Sequence, residues 1–174
     1  MNKKIVMGLT AWCALGLSAG AWAAAAATAD EVTAKVKEAA ATVKSGGETV
    51  LAEFDKKDGK WAWKDTYVFV IDCNNKTIKA HPNPQVKGMK LADLKDKKTG
   101  KPFGDSLCES AKKANGSWVE YWWTKPGADG NHRKIAYSVG AGTFAVSAVL
   151  APPMCKYPVG DGAKRVTIDI RLNY

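Results

Sequence analysis

At Trp61 the hydrophobic pattern of the chain changes its period, and that switch limits the fold more than any other feature. Upstream, Val32, Val36, Ala39 or Ala40, and Val43 recur at helical spacing, which predicts a helix from about Asp30 to Lys44. Thr28-Ala29-Asp30-Glu31 ahead of it has the form of a capping box, a hydroxyl at the cap with a carboxylate three residues on. Gly46-Gly47 interrupts the helix, and a second short one from Glu48 to about Asp55 presents Val50, Leu51 and Phe54. Asp58-Gly59 ends this half.

Downstream, apolar and polar residues alternate. Tyr67 to Asp72 reads as a strand, Asn74-Asn75-Lys76 as a tight turn and Thr77 to His81 as the returning hairpin partner. Pro82-Asn83-Pro84 stops that strand, because proline cannot donate to the ladder. Residues 83–104 are loop-rich, and Asp105 to Ala114 reads as a short helix. Trp118 to Trp123, Arg133 to Val139 and Thr143 to Leu150 are three further strands. Lys125 to Asn131 and Gly140-Ala141-Gly142 supply the turns between them. Pro152-Pro153 ends the series, and Val166 to Leu172 alternates weakly, as a last edge strand would. The class is therefore α+β: a long N-terminal helix, an antiparallel sheet of five to six strands and a short inserted helix. One sheet face packs on the long helix; the other is covered by residues 83–115 or left as a groove.

The chain opens with Lys3 and Lys4, an apolar run from Ile5 to about Leu17, and an A-x-A site at Ala21 and Ala23. This order is that of a cleavable secretory signal over residues 1–23. The apolar run is shorter than the roughly 20 residues a bilayer requires, so it is not expected to persist as an anchor. Residues 24–29 read as a disordered leader, 30–151 as a single domain and 152–174 as a C-terminal extension. Export places the protein in the periplasm or outside the cell, with no membrane insertion after cleavage.

Net charge is +9, and subtracting Lys3 and Lys4 leaves +7. The lysines are scattered (Lys56-Lys57, Lys97-Lys98, Lys112-Lys113) and not massed on one segment, which argues against a nucleic-acid partner. A positive field still favours the arrival of an anion. Cys13 leaves with the signal; Cys73, Cys108 and Cys155 remain. A Cys73–Cys108 disulfide is preferred, since it ties the intervening loop back to the sheet for roughly 3 kcal/mol. Cys155 is then free to link to a partner, or competes for Cys73.

In the middle of the chain, Ala80-His81-Pro82-Asn83-Pro84, Gly88, Leu94-Lys95-Asp96 and Lys101-Pro102-Phe103 are followed by Trp118-Val119-Glu120-Tyr121, Trp123, Lys125-Pro126-Gly127, Arg133-Lys134-Ile135 and Tyr137. In this order and spacing they resemble the single Cache domain, type 2. That resemblance implies a PAS-like sheet with a long N-terminal helix, an extracytoplasmic location and the sensing of small molecules, often short organic acids, on behalf of chemoreceptors and histidine kinases. The chain looks like a free-standing periplasmic form. Two departures stand out: the turn Gly140-Ala141-Gly142 is short, and Val146-Ser147-Ala148-Val149-Leu150 replaces a Val-Gly-Ala-Gly-Ile strand.

A pocket for a small carboxylate needs a cationic or hydroxyl donor in an otherwise apolar, aromatic wall, because a desolvated anion costs several kcal/mol unless such partners replace its water. Tyr121, Trp123 and Tyr137 are candidates for wall and hydroxyl donors, with Arg133 or Lys134 as charge partner. The two basic residues point opposite ways, so only one enters. The resemblance favours Lys134; the face shared with Tyr137 favours Arg133. The plain alternative makes the rings core and the charges surface. His81 is read either as a ligand donor or pH-sensitive gate, or as a ring holding the 83–90 loop through a backbone hydrogen bond.

Enzyme chemistry is poorly supported. A nucleophile needs a histidine base with an orienting acid, and only His81 and His132 occur. No G-x-S-x-G, H-E-x-x-H or P-loop is present, and two histidines without an acidic cluster make a poor metal site, so no cofactor is expected. The leading expectation is an exported sensor module for a small organic ligand, a short carboxylate or other anion, with a membrane-bound histidine kinase or chemoreceptor as its expected partner. The alternative is a protein-interaction module that docks on such a membrane sensor without a small ligand.

Overall fold

The computed structural model describes residues 26–125 and 128–150. The signal segment 1–23, Cys155 and the extension 152–174 lie outside the described residues.

Helix α1 runs from Ala29 to Gly46, two residues beyond its expected end. The capping box forms: the Glu31 N–H donates to Thr28 Oγ1 at 3.2 Å, and the Thr28 N–H donates to the Glu31 carboxylate at 2.9 Å. Val32, Val36, Ala39, Ala40 and Val43 make its buried stripe. Ahead of the helix Ala27 is buried, with its N–H donating to Asp65 Oδ1 at 2.8 Å. The next segment, Gly47–Asp55, is a 3₁₀ helix that buries Leu51 and Phe54. Phe54 stacks on Trp61 with ring centroids 4.9 Å apart.

Six strands follow: β1 (Ala62–Trp63), β2 (Thr66–Asp72), β3 (Thr77–Ala80), β4 (Ser117–Lys125), β5 (Ala128–Ala141) and β6 (Phe144–Leu150). The sheet order is β1-β2-β6-β5-β4, with β3 also on β2, and every pairing is antiparallel. β1 pairs with the first residues of β2 and β3 with the last, so both occupy one edge of that strand. The two-residue β1 was not anticipated, because a strand that short has no period to read. β5 begins at Ala128 although a turn was expected as far as Asn131. There the ladder runs on to Thr124↔Asn131, both exposed and polar, through backbone pairing that side-chain pattern does not report.

One face of the sheet is sealed by α1 and the 3₁₀ helix, with Val68, Val70, Val146, Ala148 and Tyr137 beneath them. Across the other face runs the long connection after β3, which carries a 3₁₀ turn at Leu91–Asp93 and helix α2 (Gly104–Ala111). Three attachments hold it. The Gly88 N–H donates to Ile78 O and the Ile78 N–H to Met89 O. Farther on, the Trp122 N–H donates to Asp96 Oδ2 at 2.7 Å while the Lys97 N–H donates to Trp122 O. Finally a Cys73–Cys108 disulfide ties α2 to the end of β2, as expected. At Gly116, between α2 and β4, φ is +70° and an added Cβ would lie 2.4 Å from Ser138 O, so only glycine fits that approach.

Candidate functional site

Between the sheet and the long connection lies a cavity of about 830 Å³. Alternation along the strands decides what faces it. Tyr67 and Phe69 of β2, Tyr121 and Trp123 of β4, Lys134 of β5 and Val149 of β6 all line it. The connection adds His81, Asn83, Leu94 and Phe103, and α2 adds Leu107.

Lys134 and Tyr121 are direct partners across the β4–β5 ladder, so their side chains leave the sheet on the same side. Both are 6% exposed. Phe103 stacks flat on Tyr121, with centroids 3.9 Å apart, and meets Trp123 edge-on at 5.7 Å. Lys97 covers Trp123, its Nζ 4.6 Å from the ring centroid. Burial raises the Tyr121 phenol pKa well above its ordinary value, and the neighbouring Tyr67 adds to the rise. Burial likewise raises that of Tyr67. Both therefore remain hydroxyl donors at neutral pH.

His81 is 7% exposed, with its ring edge against Tyr67 at 4.9 Å and near Phe69 at 5.7 Å. Its Nδ1 accepts the Asn83 N–H at 2.8 Å, so Nε2 carries the proton of the neutral ring. Its own N–H donates to Asp55 Oδ1, and Lys87 pairs with the same carboxylate at 2.6 Å. Burial pushes its pKa down to about 4, the charge of Lys134 assists this, and Asp55 opposes it. The ring thus clasps the turn after β3 through that backbone hydrogen bond, and it also forms part of the cavity wall. Among the described residues, neither the Tyr121 hydroxyl nor His81 Nε2 has a hydrogen-bond partner within the protein. Each is available to a guest.

Of the six ligand residues expected from sequence, Tyr121, Trp123, Lys134 and His81 converge on this cavity. Arg133 and Tyr137 do not, and of the two basic residues it is Lys134 that lines the cavity. Arg133 is exposed on the opposite face, where its Nε and Nη2 donate to the Glu120 carboxylate at 2.8 and 2.6 Å. That pairing raises the pKa of Arg133 and lowers that of Glu120. Tyr137 lies under α1, tilted against Trp118 at 5.0 Å, and its hydroxyl donates to Asn115 O. Sharing a face with Arg133 was correct, but that face is the one turned to the helix. Tyr67, Phe69, Phe103 and Leu107 were not singled out beforehand. Alternation in β2 carries the signal for the first two; the others reach the wall only by folding of the connection.

Among the described residues, no three His, Cys, Asp or Glu side chains gather as metal ligands, and no helix is long and apolar enough to cross a membrane. A comparison with curated proteins returns no match. Solved structures do share the fold. A methyl-accepting chemotaxis protein from Vibrio parahaemolyticus RIMD 2210633 superposes with a TM-score of 0.56 at 18% identity, over 70% of this chain and 86% of its own. The periplasmic sensor domain of a chemotaxis protein gives 0.52 at 21% identity, over 69% and 88%. A Cache chemosensory domain, solved to explain its carboxylic acid recognition, gives 0.52 at 18% identity, over 69% and 86%. The sequence model described as single Cache domain 2 matches residues 23–145, most of the chain, and includes every element from α1 to the first residues of β6. This protein therefore belongs to the single Cache domain 2 family of sensor domains.

Proposed function

We propose that this chain is an exported sensor module that binds a small carboxylate in the cavity between sheet and connection. The observation that carries the reading is Lys134: a cationic side chain buried in a largely apolar wall, directly across the ladder from the Tyr121 hydroxyl. A buried ammonium gains most from a fixed counter-anion, because low dielectric strengthens the attraction and water is scarce. Tyr121 and neutral His81 supply uncharged donors, and Trp123 and Phe103 close the wall. Carboxylic acid recognition by a domain of the same fold supports this class of ligand.

The N-terminal segment, with Lys3, Lys4 and the A-x-A site, supports export to the periplasm. Ligand occupancy would then pass to a membrane-bound chemoreceptor or histidine kinase, in keeping with the chemotaxis setting of the similar structures.

The test is calorimetric titration of the protein with a series of monocarboxylates. Lys134→Met, which keeps length and removes charge, is expected to weaken binding about 10- to 100-fold, the value of a charge-assisted hydrogen bond. Binding that survives Lys134→Met undiminished would remove the basis of the proposal.

A further inference from the structure

The size of the cavity and the charge it holds point to a narrower ligand class than small acids in general. This inference rests on the cavity being the receptor site. A volume of about 830 Å³ far exceeds what a two- or three-carbon acid fills; cavities of roughly 300 to 1,000 Å³ enclose drug-sized ligands. Against that volume, Lys134 is the only buried charged side chain among the described lining residues. Lys57, Asp58, Lys64 and Asp65 line the cavity too, but are exposed at its mouth. Two of these are engaged: Lys64 pairs with Glu31 at 2.5 Å, and Asp65 accepts the Ala27 N–H.

Beside Tyr67, Tyr121, His81 and Thr66, whose hydroxyl donates to Val149 O, the deep wall is hydrocarbon and ring: Phe69, Ile78, Leu94, Phe103, Leu107 and Val149. This distribution sorts ligands. A dicarboxylate would set its second anion on hydrocarbon or have to stretch to the mouth. An amine or α-amino acid would bring an ammonium beside Lys134 and two neutral donors, with no buried carboxylate among the described lining residues to receive it. A short acid would reach Lys134 but leave the apolar wall wet.

We infer that the site takes a monocarboxylate with an uncharged aryl or branched-alkyl body, its carboxylate toward Lys134 and Tyr121 and its body against Phe69, Phe103 and Leu107. Each methylene brought out of water multiplies affinity about fourfold.

The test is parallel titration of the wild-type protein with acetate, isovalerate, phenylacetate, succinate, phenylalanine and phenethylamine. Isovalerate and phenylacetate are expected to bind at least about tenfold tighter than acetate. Succinate, phenylalanine and phenethylamine are expected to fall behind phenylacetate by a similar factor, set by the burial of an unmatched charge. Acetate binding tightest, and depending on Lys134, would overturn the ligand class and leave the receptor reading intact. Succinate binding tightest would overturn it as well, by drawing the mouth lysines into the site. Binding of no carboxylate at all would end both.

Discussion

On one face of the sheet Val68, Val70, Val146 and Ala148 meet the Val32, Val36, Ala39 and Val43 stripe of α1, and apolar contact accounts for the packing. On the other face the same strands present Tyr67, Tyr121, Lys134 and a buried Ser138–Ser147 hydroxyl pair at 2.7 Å, under a connection held by a disulfide and side-chain clasps. The first face is filled by a helix whose stripe matches it. The second is bridged by a chain segment too irregular to fill it, and the unfilled volume is the cavity. Arg133 and Lys134 show the difference at its smallest scale: adjacent in sequence and both cationic, one is exposed and paired with Glu120 while the other is buried in the cavity wall.

The comparison is broken most directly by truncation under α1. Phe54 is fully buried and stacked on Trp61, so Phe54→Ala should cost about 3–5 kcal/mol in urea unfolding. Carboxylate affinity of the folded fraction should stay unchanged; a parallel loss of affinity would mean the two faces act as one unit. On the cavity face, replacing both Cys73 and Cys108 by serine should cost about 3–4 kcal/mol. The loss should appear first in amide exchange of α2 and residues 81–103, with α1 protected as before. Equal loosening of α1 would contradict the division.

His81 sharpens the contrast through pH. In the folded protein its pKa is held near about 4, against an ordinary 6.5, so the unfolded chain binds the proton first as pH falls. Stability should therefore be flat above pH 6.5 and decline toward pH 4, by up to roughly 3 kcal/mol. His81→Phe should flatten that decline. Below this window another set of groups takes over. Asp72 and Asp96 are pushed up by burial but more strongly held down by hydrogen bonds from Asn75, Asn74, Thr99, Trp122 and Lys98. Their stabilisation is present above the ordinary aspartate value of 3.8 and is lost as pH drops below it. An unchanged curve for His81→Phe over the upper window would show that the ring is not desolvated. The smallest effect belongs to Arg133→Met, which removes an exposed ion pair and should cost less than about 1 kcal/mol in thermal or urea unfolding, with ligand affinity unaltered.

Much of the fold was legible in the sequence because its elements have periods. The α1 stripe and its capping box, the hairpins β2–β3 and β5–β6, and the inserted helix all follow from local spacing and turn residues. β1 and the early start of β5 were missed for a local reason: each is held by backbone pairing where side chains carry no alternation. Within the site, period two correctly put Tyr121 with Trp123 and set Arg133 opposite Lys134. It could not say which of those two faces looks toward α1, so Tyr137 was grouped with the cavity although it packs below the helix.

The sequence by itself determined the strand and helix order and the residue types available for a cavity wall, since these depend on neighbours in the chain; it preferred the Cys73–Cys108 pairing but left Cys155 in competition, because that bridge joins segments 35 residues apart. Only the tertiary structure decided which face α1 covers, and with it the burial of Lys134, the neutrality of His81 and the arrival of Phe103 and Leu107 from a distant segment. Alternation labels two faces without naming either; only packing across the sheet tells them apart.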